Sequence, residues 1–539
     1  MTIRRRGGRR WAISGAQNGD IGVYGLHGES FRQRLRHAAV RLLLDVRRAG
    51  RMAHLDVKKV GRISAGGGWH VHGRDSEQTE AADSAKSAEA KHGYRRRFPH
   101  RSAGRAARGQ PHTARAVITL GAVSADTSSL VQIVADLDSV TSFGYEDDPA
   151  DAGLNRADVE AIWESVRRWY RMGTTPAIQV CLRRGGKVVL NRAIGHGWGN
   201  GPKDRPDAEK IPVTTESPFC GFSTAKGVSA AVMFMLVEQG AFALDDPVCA
   251  HIPEFAANGK DTITIGDVLS HSAGIPFVTP PYRGYQLVFD EELCVRGLAD
   301  LKPSWQPGRF RVYHALTSGL IQRLLVRRAT GKRMREHLAE RVLEPLGFRW
   351  TNFGVRPEDV DAVVPSVRTG PPPPRFATFV AGKALGGPMS GPKSMDANRE
   401  FLTAELPSGN LITTAFELSR FYEVLVRGGE LDGVRMMEPE TVRAAVRPAP
   451  WIPGIAGRVS RAGYELGAGR SKFGRDTRSH FGRSGLTTQY GWADPERGLT
   501  GAILTSGKAK TDTDRPWRLV AQISATVGAL PAADRVFEL

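Results

Sequence analysis

The sequence Phe222-Ser223-Thr224-Ala225-Lys226-Gly227 leads into a long apolar stretch, Val228 to Leu244, which predicts a helix. Residues three positions apart share a helix face, so the Ser223 hydroxyl and the Lys226 amine can come within hydrogen-bond reach. A serine is a weak nucleophile by itself, and a lysine helps it only if burial or a neighbouring cation leaves the amine partly neutral. The stretch is therefore a candidate catalytic centre with Ser223 as its nucleophile.

The chain holds a second Ser-x-x-Lys pattern, Ser390-Gly391-Pro392-Lys393, which we interpret as a decoy. Such a pattern arises by chance roughly once or twice in a chain of this length, because both residues are common. A helical turn cannot be held through Gly-Pro, so this serine and lysine are not expected to share a helix face. The pair at Ser223 and Lys226 passes that test.

The chain has 539 residues and a formal net charge of +19, and that charge is concentrated at one end. Residues 1–115 hold 25 Lys and Arg against 9 Asp and Glu, so the remaining 424 residues carry only +3. A large basic charge ordinarily suggests nucleic acid or a membrane surface as a partner. Because the remainder is nearly neutral, we expect no nucleic-acid partner for it.

The distribution of residues divides the chain into three parts. Residues 1–115 are rich in Arg, Gly, Ala, Ser and His and contain one helix-like run, Phe31 to Val46. They are either a disordered basic arm that binds polyanions or an upstream stretch translated from a start codon set too early, and we favour the second interpretation. Residues 116–153 are predicted to be a linker, and residues 154–539 a single large domain.

The sequence shows neither a clear secretion signal nor a membrane span. No hydrophobic region follows Arg4-Arg5-Arg6, and no run of about 18 apolar residues occurs. The cytoplasm is the expected location, although a later start would expose Ala116 to Val123, a short apolar run that makes a poor signal peptide. The four cysteines lack zinc-site spacing and are expected to be reduced and structural: Cys181, Cys220, Cys249 and Cys294.

Apolar periodicity places strands at both ends of the large domain and helices between them. Asn155 caps a predicted helix to about Arg171, and residues 177–190 read as a β-hairpin. Strands return at 464–468, 488–493 and 500–505, followed by a helix over 515–528. The middle is predicted to be helical over 225–239, 264–270, 290–300, 314–330, 332–343 and 414–428. We therefore expect the two ends to share one antiparallel sheet.

Over roughly residues 155–530 the sequence resembles the serine β-lactamase-related superfamily, which includes class C β-lactamases, DD-peptidases and family VIII carboxylesterases. The resemblance rests on the order and spacing of short motifs, each unspecific alone: Ser223-Thr224-Ala225-Lys226, Leu244-Asp245-Asp246-Pro247-Val248, Leu269-Ser270-His271-Ser272-Ala273-Gly274, Trp305-Gln306-Pro307-Gly308, Tyr313-His314-Ala315 and Gly428-Gly429-Glu430-Leu431-Asp432-Gly433. It implies an α+β, β-lactamase/transpeptidase-like fold, in which an antiparallel sheet flanked by terminal helices carries a large, mostly helical inserted region.

Tyr313 is the second landmark that carries chemistry. It follows the turn signal Pro307-Gly308 and precedes a predicted helix, a place where a phenol can project into a cleft. A phenol with a pKa near 10 is a useful base only if cations such as Lys226 lower that pKa. The resemblance implies that Tyr313 and Lys226 together take the proton of Ser223 and later activate the deacylating water.

A third family motif, Lys-Thr-Gly or His-x-Gly on a sheet strand, lines the far wall of the cleft, and His480-Phe481-Gly482 is expected to supply it. The resemblance implies that His480 takes the polarising position and that Gly482 lets the backbone approach the substrate. It also implies an oxyanion hole formed by the backbone N–H groups of Ser223 and Arg483. For the Arg483 side chain, a solvated position is at least as plausible as a substrate contact.

His271 is a distractor, because a serine and a histidine together suggest a hydrolase triad. It lies in the Ser-His-Ser-Ala-Gly motif, which in the family looks structural, so we expect His271 to support the site rather than to act in it. The sequence around Ser223 is not Gly-x-Ser-x-Gly, so a nucleophile elbow of the α/β-hydrolase type is not predicted.

Two departures from the lactamases favour ester hydrolysis. Ala315 stands where they carry the Asn of Tyr-x-Asn, and His480 is assigned to the place of the Lys-Thr-Gly lysine. The sequence thus predicts a serine carboxylesterase that cleaves small or medium acyl esters through a Ser223 acyl-enzyme. A β-lactamase or DD-peptidase is one alternative, and a catalytically silent penicillin-binding-like protein is another. No metal or organic cofactor is implied, and the oligomeric state is not indicated.

Overall fold

A computed structural model of the chain describes residues 129–372, 375–387, 399–454, 457–486, 488–535 and 537, together with five strands before residue 63. The chain divides into two units, Met1–Ala116 and Val117–Leu539. The first unit contains β1 Thr2–Arg4, β2 Arg10–Ser14, β3 Gly22–Gly25, β4 Ala38–Val46 and β5 Ala53–Arg62. One sheet joins β1, β2 and β3, and another pairs β4 with β5, both antiparallel.

The helix predicted over Phe31 to Val46 is wrong where the chain is described, because residues 38–46 form β4. Four apolar residues of this run fall at every second position, which is the period of a strand, although Leu43 interrupts the alternation: Val40, Leu42, Leu44 and Val46. Residues 31–37 lie outside the described ranges. That residues 1–115 are disordered or lie upstream of the true start stays a prediction.

The second unit is a mixture of helices and strands. Its helices are α1 Arg156–Tyr170, α2 Ala225–Glu238, α3 Ile265–Leu269, α4 Gly284–Phe289, α5 Glu291–Asp300, α6 Thr317–Thr330, α7 Met334–Leu338, α8 Arg375–Leu385, α9 Arg399–Thr403, α10 Ala415–Val426, α11 Pro439–Val446 and α12 Arg515–Thr526. Its strands are β6 Thr141–Phe143, β7 Ala177–Arg184, β8 Lys187–Trp198, β9 Ile211–Pro212, β10 Phe219–Cys220, β11 Asn352–Phe353, β12 Leu411–Thr413, β13 Glu430–Leu431, β14 Val434–Arg435, β15 Glu465–Leu466, β16 Arg470–Ser471, β17 Gly474–Arg475, β18 Phe481–Gly485, β19 Gln489–Asp494 and β20 Leu499–Thr505.

One antiparallel sheet organises this unit, with the strand order β15-β18-β19-β20-β7-β8-β6 and with β9 beside β8. The late strand β20 pairs with the early strand β7, so that Leu499 lies opposite Arg184 and Thr505 opposite Ile178. The predicted sharing of one sheet by the two ends of the domain is thus confirmed. The predicted α+β class, with its helical middle region, is confirmed as well.

The sheet separates two hydrophobic cores, because successive strand residues point to opposite faces. On one face, Ile178 and Val180 of β7 pack with buried residues of the terminal helices α1 and α12. On the other face, Ala177 and Cys181 join the larger core around α2. Any side chain on the sheet can therefore be assigned to one core or the other by its position along the strand.

The helix α2 ends earlier than the apolar stretch predicts. It runs to Glu238 instead of Leu244, because Gly240 adopts a left-handed conformation with φ 74°. The backbone N–H of Ala241 closes the helix end on the carbonyl of Leu236 at 3.0 Å, as in a glycine-terminated helix. Among the described residues, no helix is long and apolar enough to cross a membrane. The cytoplasmic location stays a prediction.

The predicted linker over residues 116–153 is wrong for residues 129–153, which belong to the folded unit. Residues 141–143 form β6 at the edge of the main sheet, paired with β8. The carboxylate of Glu146 accepts hydrogen bonds of 2.8 Å from the backbone N–H of Asn191 and from Nε of Arg192. The sequence offers little indication that this segment is folded, because only three of its residues form a regular strand.

A chain that begins at Val117 is expected to keep the stability and activity of the full chain, whereas one that begins at Val140 is expected to lose stability. The shorter chain lacks Val131 and Leu137, which are buried at 8% and 3% exposure. Burial of one such side chain is worth about 1.5–3 kcal/mol. Thermal unfolding of both chains measures this, and equal melting temperatures for the two truncated chains would refute the assignment of residues 129–140 to the fold.

Candidate active site

Ser223 lies in a short turn that joins strand β10 to helix α2. Residues Phe222–Thr224 form one turn of 3₁₀-helix, and α2 begins at Ala225. Gly221 makes the turn possible, because a Cβ there would lie 2.2 Å from Oγ1 of Thr224. The Thr224 hydroxyl donates to the Gly221 carbonyl at 3.0 Å. The nucleophile candidate is thus fixed at the start of a buried helix.

Two residues beside the site adopt backbone conformations that are rare for their type. Phe222, directly before Ser223, has φ 47°, and His271 has φ 63°. A positive φ costs free energy for residues with a bulky side chain, and such strain is concentrated at functional sites in proteins. Both strained residues are buried. This arrangement is independent support for a functional site here.

The hydroxyl of Tyr313 donates a hydrogen bond of 2.7 Å to Oγ of Ser223, across 90 residues of sequence. Tyr313 lies in the loop before α6, and this loop is tied to the segment around His271. The Val312 N–H donates to the His271 carbonyl at 3.1 Å, and the Ile275 N–H donates to Nε2 of His314 at 3.1 Å. These bonds hold the phenol over the serine.

Lys226 lies on the first turn of α2, three residues after Ser223, and is 6% exposed. Its amine donates to the backbone carbonyls of Ala315 at 2.9 Å and Ser408 at 2.6 Å. Nζ also lies 4.8 Å from the centre of the Tyr313 ring. The lysine amine therefore lies against the face of the Tyr313 ring. The i, i+3 spacing predicts a hydrogen bond between Ser223 and Lys226, but the Ser223 hydroxyl is hydrogen-bonded to Tyr313 instead.

Arg483 approaches Tyr313 from the sheet. Its guanidinium carbon lies 5.0 Å from the centre of the Tyr313 ring, and the residue is only 4% exposed, so a solvated position is ruled out. Nη1 donates to the Gly463 carbonyl at 2.7 Å, and Nη2 lies 2.9 Å from Nε2 of His271. Because arginine can only donate, Nε2 of His271 is the acceptor.

His271 orients this arginine and does not contact Ser223 in the described hydrogen bonds. Burial and the nearby charge of Arg483 hold the pKa of His271 well below its usual range, so the imidazole is neutral and can accept from the guanidinium. Its ring also packs edge-on against Tyr313, with 5.0 Å between ring centres. The geometry agrees with a supporting role for His271.

The two cations make Tyr313 unusually acidic. Burial by itself raises the pKa of the phenol, but the charges of Lys226 and Arg483 outweigh it and bring that pKa down to about 8. Burial lowers the pKa of Lys226, also to about 8, with Arg483 adding to the decrease and Tyr313 opposing it. With a pKa near 8, a fraction of the Tyr313 phenol is ionised near neutral pH and can act as a general base toward the Ser223 hydroxyl.

His480 and Gly482 are not at this site, which corrects the assignment of the His-x-Gly motif. His480 is fully buried on the opposite face of the sheet, where Nε2 lies 2.9 Å from the Tyr490 hydroxyl and the ring stacks 4.1 Å from Phe473. A Cβ at Gly482 would lie 2.7 Å from Cβ of Trp492 on that same face. Residues 480 and 482 share a face by the period of a strand, and 481 and 483 share the other.

The residues that face the site lie three positions later along the chain, at Arg483 and Gly485 of the tripeptide Arg483-Ser484-Gly485. This tripeptide keeps the order cation, hydroxyl, glycine of Lys-Thr-Gly, a signal in the sequence that the choice of His480 obscured. A Cβ at Gly485 would lie 2.1 Å from the carbonyl of Gly221 and 3.2 Å from Cγ2 of Thr224, so the end of β18 touches the turn that carries Ser223. The Ser484 hydroxyl bonds to the Glu465 carboxylate.

Ser408 is a further residue that the sequence reasoning missed. It acts through a backbone carbonyl that lies 182 residues from Lys226, and a backbone acceptor leaves no pattern in the side chains. The decoy at residues 390–393 lies outside the described ranges. Among the described residues, no group of three or more His, Cys, Asp or Glu side chains is placed to hold a metal ion.

One tyrosine is expected to ionise near pH 8, and replacing Arg483 with Gln is expected to raise its pKa by roughly one unit, the size of shift that a nearby opposite charge produces. The measurement is a spectrophotometric titration of tyrosinate, with Tyr313→Phe subtracted to isolate the group. Arg311→Gln is the matched control, because Arg311 is also buried but its guanidinium bonds to the carbonyls of Ser270 and Pro450. A difference titration in which no tyrosine ionises below the ordinary range near 10 would contradict this electrostatic account.

Comparison with known proteins places the chain in a family. The profile of the family described as Beta-lactamase matches residues 157–525. The "Esterase/beta-lactamase LipL" of Mycobacterium tuberculosis is 30% identical over 305 residues, which is 54% of this chain and 70% of that protein.

Solved structures have the same fold. A penicillin-binding protein homologue from Caulobacter crescentus gives a TM-score of 0.59 at 26% identity, covering 69% of this chain and 98% of that one. A family VIII carboxylesterase gives a TM-score of 0.59 over the same shares, and at 22% identity this likeness shows the fold alone. Since the family profile covers well over half of the sequence, the chain belongs to the β-lactamase family.

Proposed function

We propose that this protein is a serine carboxylesterase that cleaves small or medium acyl esters through a covalent acyl-enzyme on Ser223. The observation that carries the proposal is the bond of 2.7 Å between the Tyr313 hydroxyl and Oγ of Ser223, beside the buried cations Lys226 and Arg483. A serine paired with an acidified phenol is an activated nucleophile. A catalytically silent protein of this fold would need none of these contacts.

Before the first half-reaction, the Tyr313 phenol loses its proton to solvent, so that it accepts a hydrogen bond from Ser223 instead of donating one. The phenolate then accepts the proton of Ser223 while Oγ attacks the ester carbonyl carbon. The tetrahedral intermediate collapses when the bond to the alcohol oxygen breaks, and Tyr313 returns the proton to that oxygen. In the second half-reaction, Tyr313 takes a proton from water, whose oxygen attacks the acyl carbon, and the proton passes back to Ser223 as the acid leaves. Each half-reaction ends with Tyr313 in the state in which it began.

Lys226 supports this cycle as a positive charge fixed below the phenol. The carbonyls of Ala315 and Ser408 hold its amine in place, so that it stabilises the phenolate without moving between steps. Arg483 adds a second charge from the sheet. Both cations are desolvated, and charges in a water-poor site interact more strongly than they would in solvent.

The oxyanion that develops on the carbonyl oxygen needs backbone donors. The N–H of Ser223 is one candidate, and removal of one such donor typically costs about 3–4 kcal/mol of transition-state stabilisation. The second donor was expected from the N–H of Arg483. Because Gly485 touches Gly221 and Thr224, the end of β18 near Leu486 is the better candidate.

The preference for esters over β-lactams rests on Ala315 and on the way Arg483 is engaged. The methyl group of Ala315 offers no hydrogen bond to the acylamino group of a β-lactam. A histidine in the place of the Lys-Thr-Gly lysine would be only partly charged at neutral pH. Arg483 stands on this wall instead of His480 and carries a full positive charge. Its guanidinium is nearly buried and bonds to Gly463 and His271, so little of it is free for a substrate carboxylate.

A β-lactamase or DD-peptidase is the second candidate, and the positive charge of Arg483 is the observation in its favour. If the guanidinium turned away from His271, it could attract the carboxylate of such a substrate. LipL is a relative whose name combines esterase and β-lactamase. The two candidates differ in their substrates and not in their nucleophile.

Ester turnover is expected to exceed cephalosporin turnover by at least about a hundredfold in kcat/KM, which is about 2.7 kcal/mol. A chromogenic cephalosporin and a series of p-nitrophenyl esters measure the two rates, and Ser223→Ala is expected to abolish both. Ala315→Asn is expected to narrow the gap, because its amide can pair with the acylamino group that otherwise loses its hydrogen bonds on binding. Cephalosporin hydrolysis by the unaltered protein at the rate of its best ester would reject the esterase proposal.

A further inference from the structure

A cavity of about 250 Å³ lies beside the turn that carries Ser223. Its wall is mainly apolar and comes from four separate parts of the chain, represented by Trp198, Phe222, Val360, Val364, Phe401 and Leu402. The charged residues of its lining are Asp361 and Arg399, whose side chains form an ion pair with each other and are 80% and 62% exposed. The lining therefore offers an apolar ligand mostly carbon surface, and it offers a charged ligand no buried charged partner.

The cavity is tied to the nucleophile through Phe222. Phe222 lines the cavity and is bonded directly to Ser223, so the two Cα atoms are about 3.8 Å apart. Its strained backbone, with φ 47°, sets the direction of the ring relative to the serine. The Lys508 amine lies 4.3 Å from the ring centre and packs against the aromatic face.

The opposite wall is attached to the same strand. The Val364 N–H donates to the Pro218 carbonyl at 2.8 Å, and Val364 pairs with Phe219 in a parallel bridge. Phe219 belongs to β10, which runs directly into the Ser223 turn. One wall of the cavity thus belongs to the segment that positions the nucleophile, and the wall at Val364 is hydrogen-bonded to that segment, which gives this part of the pocket the rigidity that a substrate site requires.

The position of the cavity relative to Ser223 and Tyr313 decides whether the cavity can hold the acyl part or the alcohol part of an ester. Tyr313 must reach the leaving alcohol oxygen in order to protonate it, so the alcohol lies on the side of Tyr313. The cavity starts at Phe222, next to the nucleophile, and its lining includes neither Ser223 itself nor Tyr313, Lys226 or Arg483. The part of the substrate that can enter the cavity is therefore the acyl group, which stays bonded to Ser223 while the alcohol departs.

We propose that this cavity is an acyl-chain pocket that takes an unbranched aliphatic chain of medium length, an assignment that rests on the proposed esterase function. An apolar cavity of about 150 Å³ holds the six carbons of benzene, so 250 Å³ has room for roughly eight to ten carbons. Each methylene buried there adds about fourfold to kcat/KM. The preferred substrate class is thus a medium-chain carboxylic ester.

The test changes the size of the pocket at Leu402, which lines it and is only partly buried. Leu402→Trp is expected to lower kcat/KM for p-nitrophenyl octanoate at least tenfold while leaving the acetate ester within about twofold, because the indole fills the space for the distal methylenes. Leu402→Ala is expected to move the optimum to longer chains. Leu293→Trp is the matched control, since Leu293 is also partly buried against the core but lies in α5 and does not line the cavity.

The comparison uses two ester series on each protein: p-nitrophenyl esters of increasing acyl length, and acetate esters of increasing alcohol length. The proposal predicts that both Leu402 variants change the first series and leave the second unchanged. A flat acyl series, or a shift confined to the alcohol series, overturns the pocket assignment while ester turnover itself stands. If the unaltered protein turns over no ester in either series, the proposed function fails and the pocket assignment fails with it.

Discussion

The site depends on keeping one phenol acidic inside a protein core. Burial alone makes a tyrosine harder to ionise, as Tyr464 illustrates: its pKa is raised by desolvation. Tyr313 is partly buried, and burial also opposes its ionisation, yet the charges of Lys226 and Arg483 bring its pKa down to about 8. Each cation is held by backbone carbonyls from other parts of the chain. Much of the surrounding structure serves to hold two positive charges beside one ring.

The sheet makes that arrangement possible by sorting side chains to its two faces. Arg483 reaches Tyr313 because it lies on the face of the sheet that carries α2. His480 and Gly482 lie on the opposite face, where the aromatic residues pack against the terminal helices. A shift of one residue along β18 would exchange these sets and remove the cation from the site. The pairing of β18 with β19, in which Arg483 lies opposite Gly491, fixes this register.

Much of the fold, and part of the site, could be predicted from the sequence. Helical spacing brought Ser223 and Lys226 together as candidates, whereas Tyr313 came from the resemblance, since no local pattern links residues 90 positions apart. The histidine of the third motif was misplaced because a short match to His-x-Gly does not reveal which way a strand side chain points. The role of Ser408 could not be predicted, because its backbone carbonyl leaves no side-chain pattern. The folding of residues 129–153 could not be predicted either, because the segment has no regular apolar periodicity.

Ser223, Lys226 and Tyr313 are proposed to act as one unit in proton transfer. The most direct test is a double-mutant cycle that measures how fast a fluorophosphonate modifies Ser223. Lys226→Met and Tyr313→Phe keep the side-chain volumes and are each expected to slow modification by about 10²–10⁴-fold. The double variant should then be less than about tenfold slower than the slower single variant, because residues that act as a unit are not additive. Losses that multiply in the double variant, or a modified residue other than Ser223, would contradict the account.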